Sequence, residues 1–452
     1  MDHGTQPMDF TRGGIAGSLV RFALPVLAAL FLQSLYGAVD LMVVGRFADK
    51  ADVSAVATGA HIMMTLTSLV ASFAMGATVL LGQQIGEGNA CRGGETIGAC
   101  VALFAAVGAF LTALTVPGAG MLARIMRAPA FDLTVDYVRV CGAGTLVIIA
   151  YNLIGSVFRG IGDSRTPLVT VAIACACNIA GDLLLVAGLH MGAAGAAIAT
   201  VAAQGVSVLI SLLFIRRMAL PFALERRHVR FNGPVIRRVV RLGLPIALQD
   251  LLVGVSFLVI QAIVNGLGVT PSAGVGVAEK VCGFIMLVPS AFMQSMSAFV
   301  AQNAGAGKYG RAVKALGCGV GLSLVVGVAM ACLAFFRGDW LGSVFSREPD
   351  VVRAAADYLR AYGIDCLLTP VFFCAIGFFN GIGMTRFVML QGIVSAFCVR
   401  VPVSWLMSRR VPVSLFHIGL ATPCSSALQI ALCLACLLWL RRRGALADRE
   451  GA

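Results

Sequence analysis

Hydrophobic residues in this chain do not alternate with polar ones at the strand period, nor do they form the one-sided stripe of a surface helix. They come in long runs separated by short polar turns. Phe22 to Val39 is eighteen residues without a charge, enough for a helix rising 1.5 Å per residue to cross the hydrocarbon layer of a bilayer. Runs of this kind predict twelve helices, at 15–44, 53–85, 96–122, 134–158, 166–189, 193–215, 238–267, 273–303, 312–336, 354–381, 387–408 and 413–440. Most connections are short. The exception, Arg216 to Arg241, is crowded with arginine. The expected fold class is therefore all-α and integral to the membrane, with every backbone hydrogen bond satisfied inside its own segment.

The pattern repeats. Val20-Arg21-Phe22-Ala23-Leu24-Pro25 returns as Val240-Arg241-Leu242-Gly243-Leu244-Pro245. Gly82-Gln83-Gln84-Ile85-Gly86-Glu87-Gly88 returns as Ala301-Gln302-Asn303-Ala304-Gly305-Ala306-Gly307. Phe158-Arg159-Gly160-Ile161-Gly162-Asp163 returns as Phe379-Asn380-Gly381-Ile382-Gly383-Met384. The offsets are 220, 219 and 221 residues. Three matches in order at a near-constant spacing imply two six-helix bundles, an N-terminal lobe over 1–218 and a C-terminal lobe over 238–452, joined by a basic linker at 219–237. Six is an even number, so both bundles enter the membrane from the same side. Parallel repeats of this type are expected to hold a substrate cavity between the halves.

Composition agrees with a membrane protein. Apolar residues make up 59% of the 452 and charged ones 12%, against about 45–50% and about 25% in soluble domains; the mean hydropathy is +0.92. The net charge of +13 need not mean nucleic acid, and no nucleic-acid partner is expected. Most Lys and Arg residues fall at the termini and in the loops after even-numbered helices, which places both termini and the basic linker in the cytoplasm. Membrane lipid is then the linker's neighbour. The polar start MDHGTQPMDFTRGG leads directly into a span rather than a cleavable signal. The fourteen cysteines lie mostly inside apolar runs, which argues against a disulfide framework. Cys433 and Cys436 read as small packing residues rather than a metal pair.

Against this background the buried polar residues stand out. A carboxylate at the bilayer centre costs on the order of 3 kcal/mol. Asp40 lies just inside the outer end of the first helix. Asp182 and Asn178, one turn apart on one face, lie near the outer end of the fifth. Thr200 lies a few residues into the sixth. All four fall in one layer of the outer half of the first bundle. Two carboxylates, an amide and a hydroxyl can form an oxygen cage for Na⁺ or a carboxyl pair sharing a proton. In the second bundle Asp250, Lys280 and Asp365 are embedded charges, and Lys280 is placed to pair with Asp250 or Asp365. Gln33, Tyr36, Met63, Met64, Gln249, Met286, Met293 and Gln294 complete a set of candidate cavity residues, the methionines offering a surface that repacks around varied ligands. Pro25 removes a helix hydrogen bond and gives the first helix a hinge.

The FRGIGDSRTP and FNGIGMTR turns, the GQQIGEG and AQNAGAGK turns and the Leu-Pro pair in the first helix of each half resemble the MATE family of multidrug and toxic compound extrusion transporters. The resemblance runs helix for helix along essentially the whole chain. It implies an antiporter of the cytoplasmic (inner) membrane, a monomer, that exports organic cations in exchange for H⁺ or Na⁺ and needs no other cofactor. VDLMVVGRFA with Asp40, NIAGD from Asn178 to Asp182, and GAAGAAIAT ending at Thr200 match the family's N-lobe cation site. The NorM-like branch carries acids in helices 7 and 10 where this chain has Val253 and Thr369, so the pattern looks closer to the DinF-like branch. The rival within the superfamily is a lipid-linked oligosaccharide flippase, which commonly has fourteen spans and a cationic cavity; here only Lys280 and Arg400 are embedded cations. No HExxH, GxSxG or histidine cluster points to an enzyme.

Overall fold

The structure, a computed structural model, describes residues 7–89, 91–217, 222 and 225–448. The remaining terminal residues and much of the beginning of the basic linker, on which part of the topology argument falls, lie outside the described residues. The first half comprises α1 (Ile15–Phe47), α2 (Lys50–Gly86), α3 (Cys91–Ile125), α4 (Phe131–Ala143), α5 (Thr145–Ile161), α6 (Arg165–Asp182), a π-helical turn (Leu183–Gly188) and α7 (Gly192–Arg217). The second comprises α8 (Gly233–Asn265), α9 (Val269–Ile285), α10 (Leu287–Gly305), α11 (Tyr309–Phe336), the short α12 (Gly338–Ser343), α13 (Pro349–Gly381), α14 (Thr385–Ser395), a π-helical turn (Ala396–Arg400), α15 (Val401–Ser408), α16 (Leu415–Gly419) and α17 (Ala421–Arg442). Among the described residues eleven helical segments are long and apolar enough to span a membrane, and α4 with α5, bent by 54°, makes a twelfth if the pair is one span. The chain is a multi-pass, all-helical membrane protein, as the hydrophobic runs predict. Starts of α3, α8 and α13 come five residues earlier than predicted. Their first turns carry Arg92, Arg237 and Asp350, charged residues that an uncharged run leaves out but a helix end at the headgroups tolerates.

Two compact units emerge. One contains residues 7–9 and Leu24–Ala247, the other Phe10–Ala23 and residues 248–448. The boundaries fall inside α1 and α8, next to the repeated prolines Pro25 and Pro245.

In the first unit Val44, Ala55, Val56, Val138, Val186 and Ala196 build an apolar cluster that ties α1, α2, α4, the first π-helical turn and α7 together. Small residues set the helix spacing. A Cβ on Gly76 of α2 would lie 2.6 Å from the Gly243 nitrogen of α8 and 2.7 Å from its Cα, so backbone meets backbone there. The α4–α5 bend falls at Gly144, where any side chain would collide with Val201 of α7. Asp163 caps the start of α6: its Oδ1 accepts from the amides of Arg165 at 2.9 Å and Thr166 at 3.1 Å, and its Oδ2 accepts the Thr166 hydroxyl.

In the second unit the repeated Ala301–Gly307 turn anchors the chain's N-terminal segment. Phe10 is fully buried between Phe22 and Phe299, at ring separations of 5.1 and 5.2 Å. Its amide donates to Gln302 Oε1 at 3.2 Å, and its carbonyl accepts from Asn303 Nδ2 at 3.1 Å and Arg311 Nε at 2.9 Å. In the first unit the equivalent turn does something else: Gln84 Oε1 accepts the Thr96 hydroxyl at 2.9 Å, joining α2 to α3.

Candidate functional site

Gln33, Tyr36 and Asp40 follow one another on α1 at intervals of three and four residues and therefore share a face. That face meets three other helices of the first unit. Gln33 Nε2 donates to the Tyr151 hydroxyl of α5 at 2.8 Å. The Tyr36 hydroxyl lies beside Gln204 of α7. Asp40 meets α6 and α7. The Thr200 hydroxyl donates toward Asp40 Oδ2 at 3.3 Å, in competition with its own helix carbonyl, Ala196 O, at 3.0 Å. Asn178 Nδ2 donates to Thr200 Oγ1 at 3.4 Å. The carboxyls of Asp40 and Asp182 are within hydrogen-bonding reach of each other.

The two acids and the amide of this group are buried. Asp182 is 0% exposed, Asn178 1% and Asp40 6%. Among the described residues no amide or hydroxyl donor reaches Asp182 Oδ1, Asp182 Oδ2, Asp40 Oδ1 or Asn178 Oδ1. A capping carboxylate accepts the free N–H groups of a helix start, and among the described residues none reaches Asp182, so it caps no helix. Four buried oxygens without a donor, three of them on two neighbouring carboxyls, form a site short of positive charge. A hard cation takes such oxygens as ligands, and a proton can bridge the two carboxyls. The helix geometry contributes too. The π-helical turn begins at the residue after Asp182. Such a turn, with its i→i+5 bonding, shifts the side chains that follow relative to an α-helix and recurs at functional sites.

The other sequence candidates separate. Met63 is buried in the apolar cluster of the first unit, while Met64, next to it, points outward at 69% exposure. In the second unit Gln249 is buried against Gly392 of α14, where a Cβ would come within 2.9 Å of its Cγ. Met293 and Gln294 are half-buried on α10, and Met286 sits in the break between α9 and α10. Asp250 and Lys280 are exposed. Pro25 lies within an α1 that continues to Phe47.

Asp365 is buried, and the cation whose charge acts on it is Arg400 rather than the expected Lys280. Its Oδ2 accepts the Thr369 hydroxyl at 3.1 Å, and Ser426 lies beside it. Arg400, also buried, donates from Nη1 to Ser256 Oγ at 3.1 Å and lies over the Phe257 ring at 4.4 Å. A guanidinium over an aromatic face is partly stabilised by the ring. Arg400 was visible in the sequence as a charge inside an apolar run. Tyr151 and Gln204 were not, because a tyrosine or glutamine in a membrane helix is marked by its neighbours rather than by its type.

Comparisons with known proteins agree with this architecture. The family described as MatE matches the chain twice, over residues 25–184 and 245–406, so each match begins on one of the repeated prolines. The Bacillus subtilis (strain 168) protein described as "Probable multidrug resistance protein YpnP" is 27% identical over 410 residues, covering 88% of this chain and 90% of that one. "Probable multidrug resistance protein NorM" of Thermotoga maritima is 24% identical over 417 residues, covering 90% and 87%. Among solved structures, the "Crystal structure of MATE in the straight conformation" superposes with a TM-score of 0.88 at 20% identity, covering 99% of this chain and 100% of the other.

Proposed function

The chain belongs to the MATE family of multidrug transporters and is not an enzyme, and from that premise we propose that it is a cation-coupled antiporter exporting organic, cationic amphipathic compounds in exchange for H⁺ or Na⁺. The observation that carries this reading is the pair of buried carboxyls, Asp40 and Asp182, set side by side with four oxygens that no donor reaches.

Empty of cation, two carboxylates at this separation in a low-dielectric site repel each other and lack the water that would screen them. Loaded with one proton or one Na⁺, the same oxygens become ligands or partners. Asn178 and Thr200 complete the oxygen set for Na⁺. For H⁺ they orient the carboxyl that accepts it. The two states therefore prefer different packing of α1 against α6 and α7, which is the differential binding that coupling requires. Pro25 is the point at which α1 gives way, since the carbonyl of Arg21 has no helix N–H to hold it. Gln33 and Tyr36, on the same face as Asp40, would register that movement as a change at the substrate.

Placing the coupling site in the N-terminal unit goes with the DinF-like reading of the sequence. By the distribution of Lys and Arg, both termini face the cytoplasm of a cell whose inner membrane the protein spans as a monomer, with membrane lipid around it. The test is accumulation of a fluorescent organic cation in cells producing wild type or Asp40→Asn. Wild type lowers accumulation and a cation ionophore abolishes the effect. An Asp40→Asn protein that exports as well as wild type, with the same ionophore sensitivity, would refute coupling at this site.

A further inference from the structure

Helix α5 of the first unit carries a cation that the acid cluster does not use. The accessible positions of this helix form two neighbouring stripes. One is apolar, with Leu146 and Ile154 on it, and suits lipid. On the other the half-buried positions are Tyr151, Asn152, Gly155 and Arg159, all within about 100° around the helix axis. Polar groups on a spanning helix are too costly to set against hydrocarbon, so a stripe that is both accessible and polar lines a watery cavity. Gln33 of α1 joins the same stripe through its bond to Tyr151.

The sequence places Arg159 in the turn after the span, where an arginine reaches for the headgroups. Its guanidinium instead folds back one turn along α5, the direction in which helical side chains lean. Nη2 donates to Ser156 Oγ at 2.9 Å. A Cβ on Gly155 would lie 3.4 Å from Nη1 and 4.0 Å from Nη2, and among the described residues no atom of another segment comes within 4 Å of it. Gly155 thus leaves a gap that the two terminal nitrogens of Arg159 border.

Among the described residues no acid answers this guanidinium. Tyr151 is the one ionisable side chain whose charge bears on it, and Arg159 does not act on Asp40 or Asp182. Nor does the turn need the charge. Its repeat in the second unit has Asn380 at this place and the same left-handed glycine after it, with φ 86° at Gly383 against 88° at Gly162. A guanidinium offers parallel N–H groups that match a carboxylate. With no second cation acting beside it, it balances one negative charge, which suits a carboxylate better than a phosphate dianion.

We propose that Arg159 is a specificity-determining residue that binds a carboxylate on the transported compound, so that the preferred cargo is zwitterionic, an amphiphile with a carboxylate as well as a cationic group. This rests on the antiporter reading and narrows its substrate class. Coupling is read from the response to a gradient, and the role of Arg159 from a ratio of two affinities at equilibrium, so either can fail alone.

The experiment uses the full chain in lipid nanodiscs, at fixed pH and without a gradient. Two dyes are titrated by fluorescence polarisation: rhodamine 110, which has a free carboxylate, and rhodamine 123, its methyl ester. Wild type is expected to bind rhodamine 110 more tightly. Arg159→Gln should weaken rhodamine 110 by about 5- to 30-fold, a hydrogen bond to a charged group discounted for solvent, and leave rhodamine 123 unchanged. Arg159→Lys, which keeps the charge but not the fork, should retain part of the preference. Asp40→Asn should retain all of it. Thermal melting checks folding. Should Arg159→Gln fail to fold, Gly155→Val decides, since it fills the gap before an intact guanidinium and should lower the same ratio. The proposal is overturned by saturable binding of neither dye, by a wild type without preference for the carboxylate, or by a preference that survives Arg159→Gln or, in its place, Gly155→Val.

Discussion

The two units come from the same repeated sequence and have treated their buried charge in opposite ways. In the first, Asp40 and Asp182 sit together, and among the described residues no basic side chain is paired to either. In the second, the buried acid Asp365 lies within the field of Arg400, and Arg400 is held by Ser256 and Phe257. On the proposed function, the first unit takes its cation from outside. The other carries its own, covalently attached and unable to leave. On that reading the two halves of the repeat differ by one buried arginine, and ion traffic falls to the half that lacks it.

The largest effects should separate the halves functionally. Asp40→Asn and Asp182→Asn should each lower gradient-driven export at least about tenfold, within the range of a typical coupling free energy, while Asp365→Asn should leave the dependence on the gradient in place. Transport assays on all three in one membrane preparation check this, and equal losses in all three would dissolve the contrast. Next comes stability. Arg400→Gln strands Asp365 as a buried acid without its cation, which should cost about 3 kcal/mol and lower the melting temperature in detergent. Adding Asp365→Asn should restore much of it. The same exchange has no counterpart in the first unit, where removing a carboxylate by Asp182→Asn should raise the melting temperature in the absence of the coupling cation.

Smaller effects test the repeat at its turns. Asp163 caps α6 in the first unit, and the equivalent position in the second is Met384. Asp163→Ala should cost about 1 kcal/mol, measured by thermal unfolding, and Met384→Ala should cost less.

Much of this was legible in the sequence, for identifiable reasons. A span needs some twenty apolar residues in a row, and nothing else in a chain looks like that, so the helices could be read to within about a turn and a half. Asp40, Asn178, Asp182 and Thr200 could be placed together from depth alone, because helix rise and direction fix height in a membrane. Rotation about a helix axis is not fixed by height, and there the reading failed. Lys280 was set against Asp250 or Asp365 because all three were embedded, yet Arg400 is the residue whose charge reaches Asp365. Met63 and Met64 were taken as one surface, yet adjacent helix positions point about 100° apart, and one is buried while the other is exposed. The roles of Gln84 in the first unit and Gln302 in the second were equally hidden. The same repeated turn holds α3 in one unit and the N-terminal segment in the other, a difference that depends on what each turn happens to meet.

The most direct test of the central claim is uptake of a fluorescent organic cation into liposomes holding wild type or Asp182→Asn, with and without an imposed H⁺ or Na⁺ gradient. Wild type should respond to one of the two gradients, and Asp182→Asn should run at the same slow rate whether or not a gradient is present. If Asp182→Asn still accelerates when the gradient is applied, the buried carboxyl pair is not where this transporter couples to its cation.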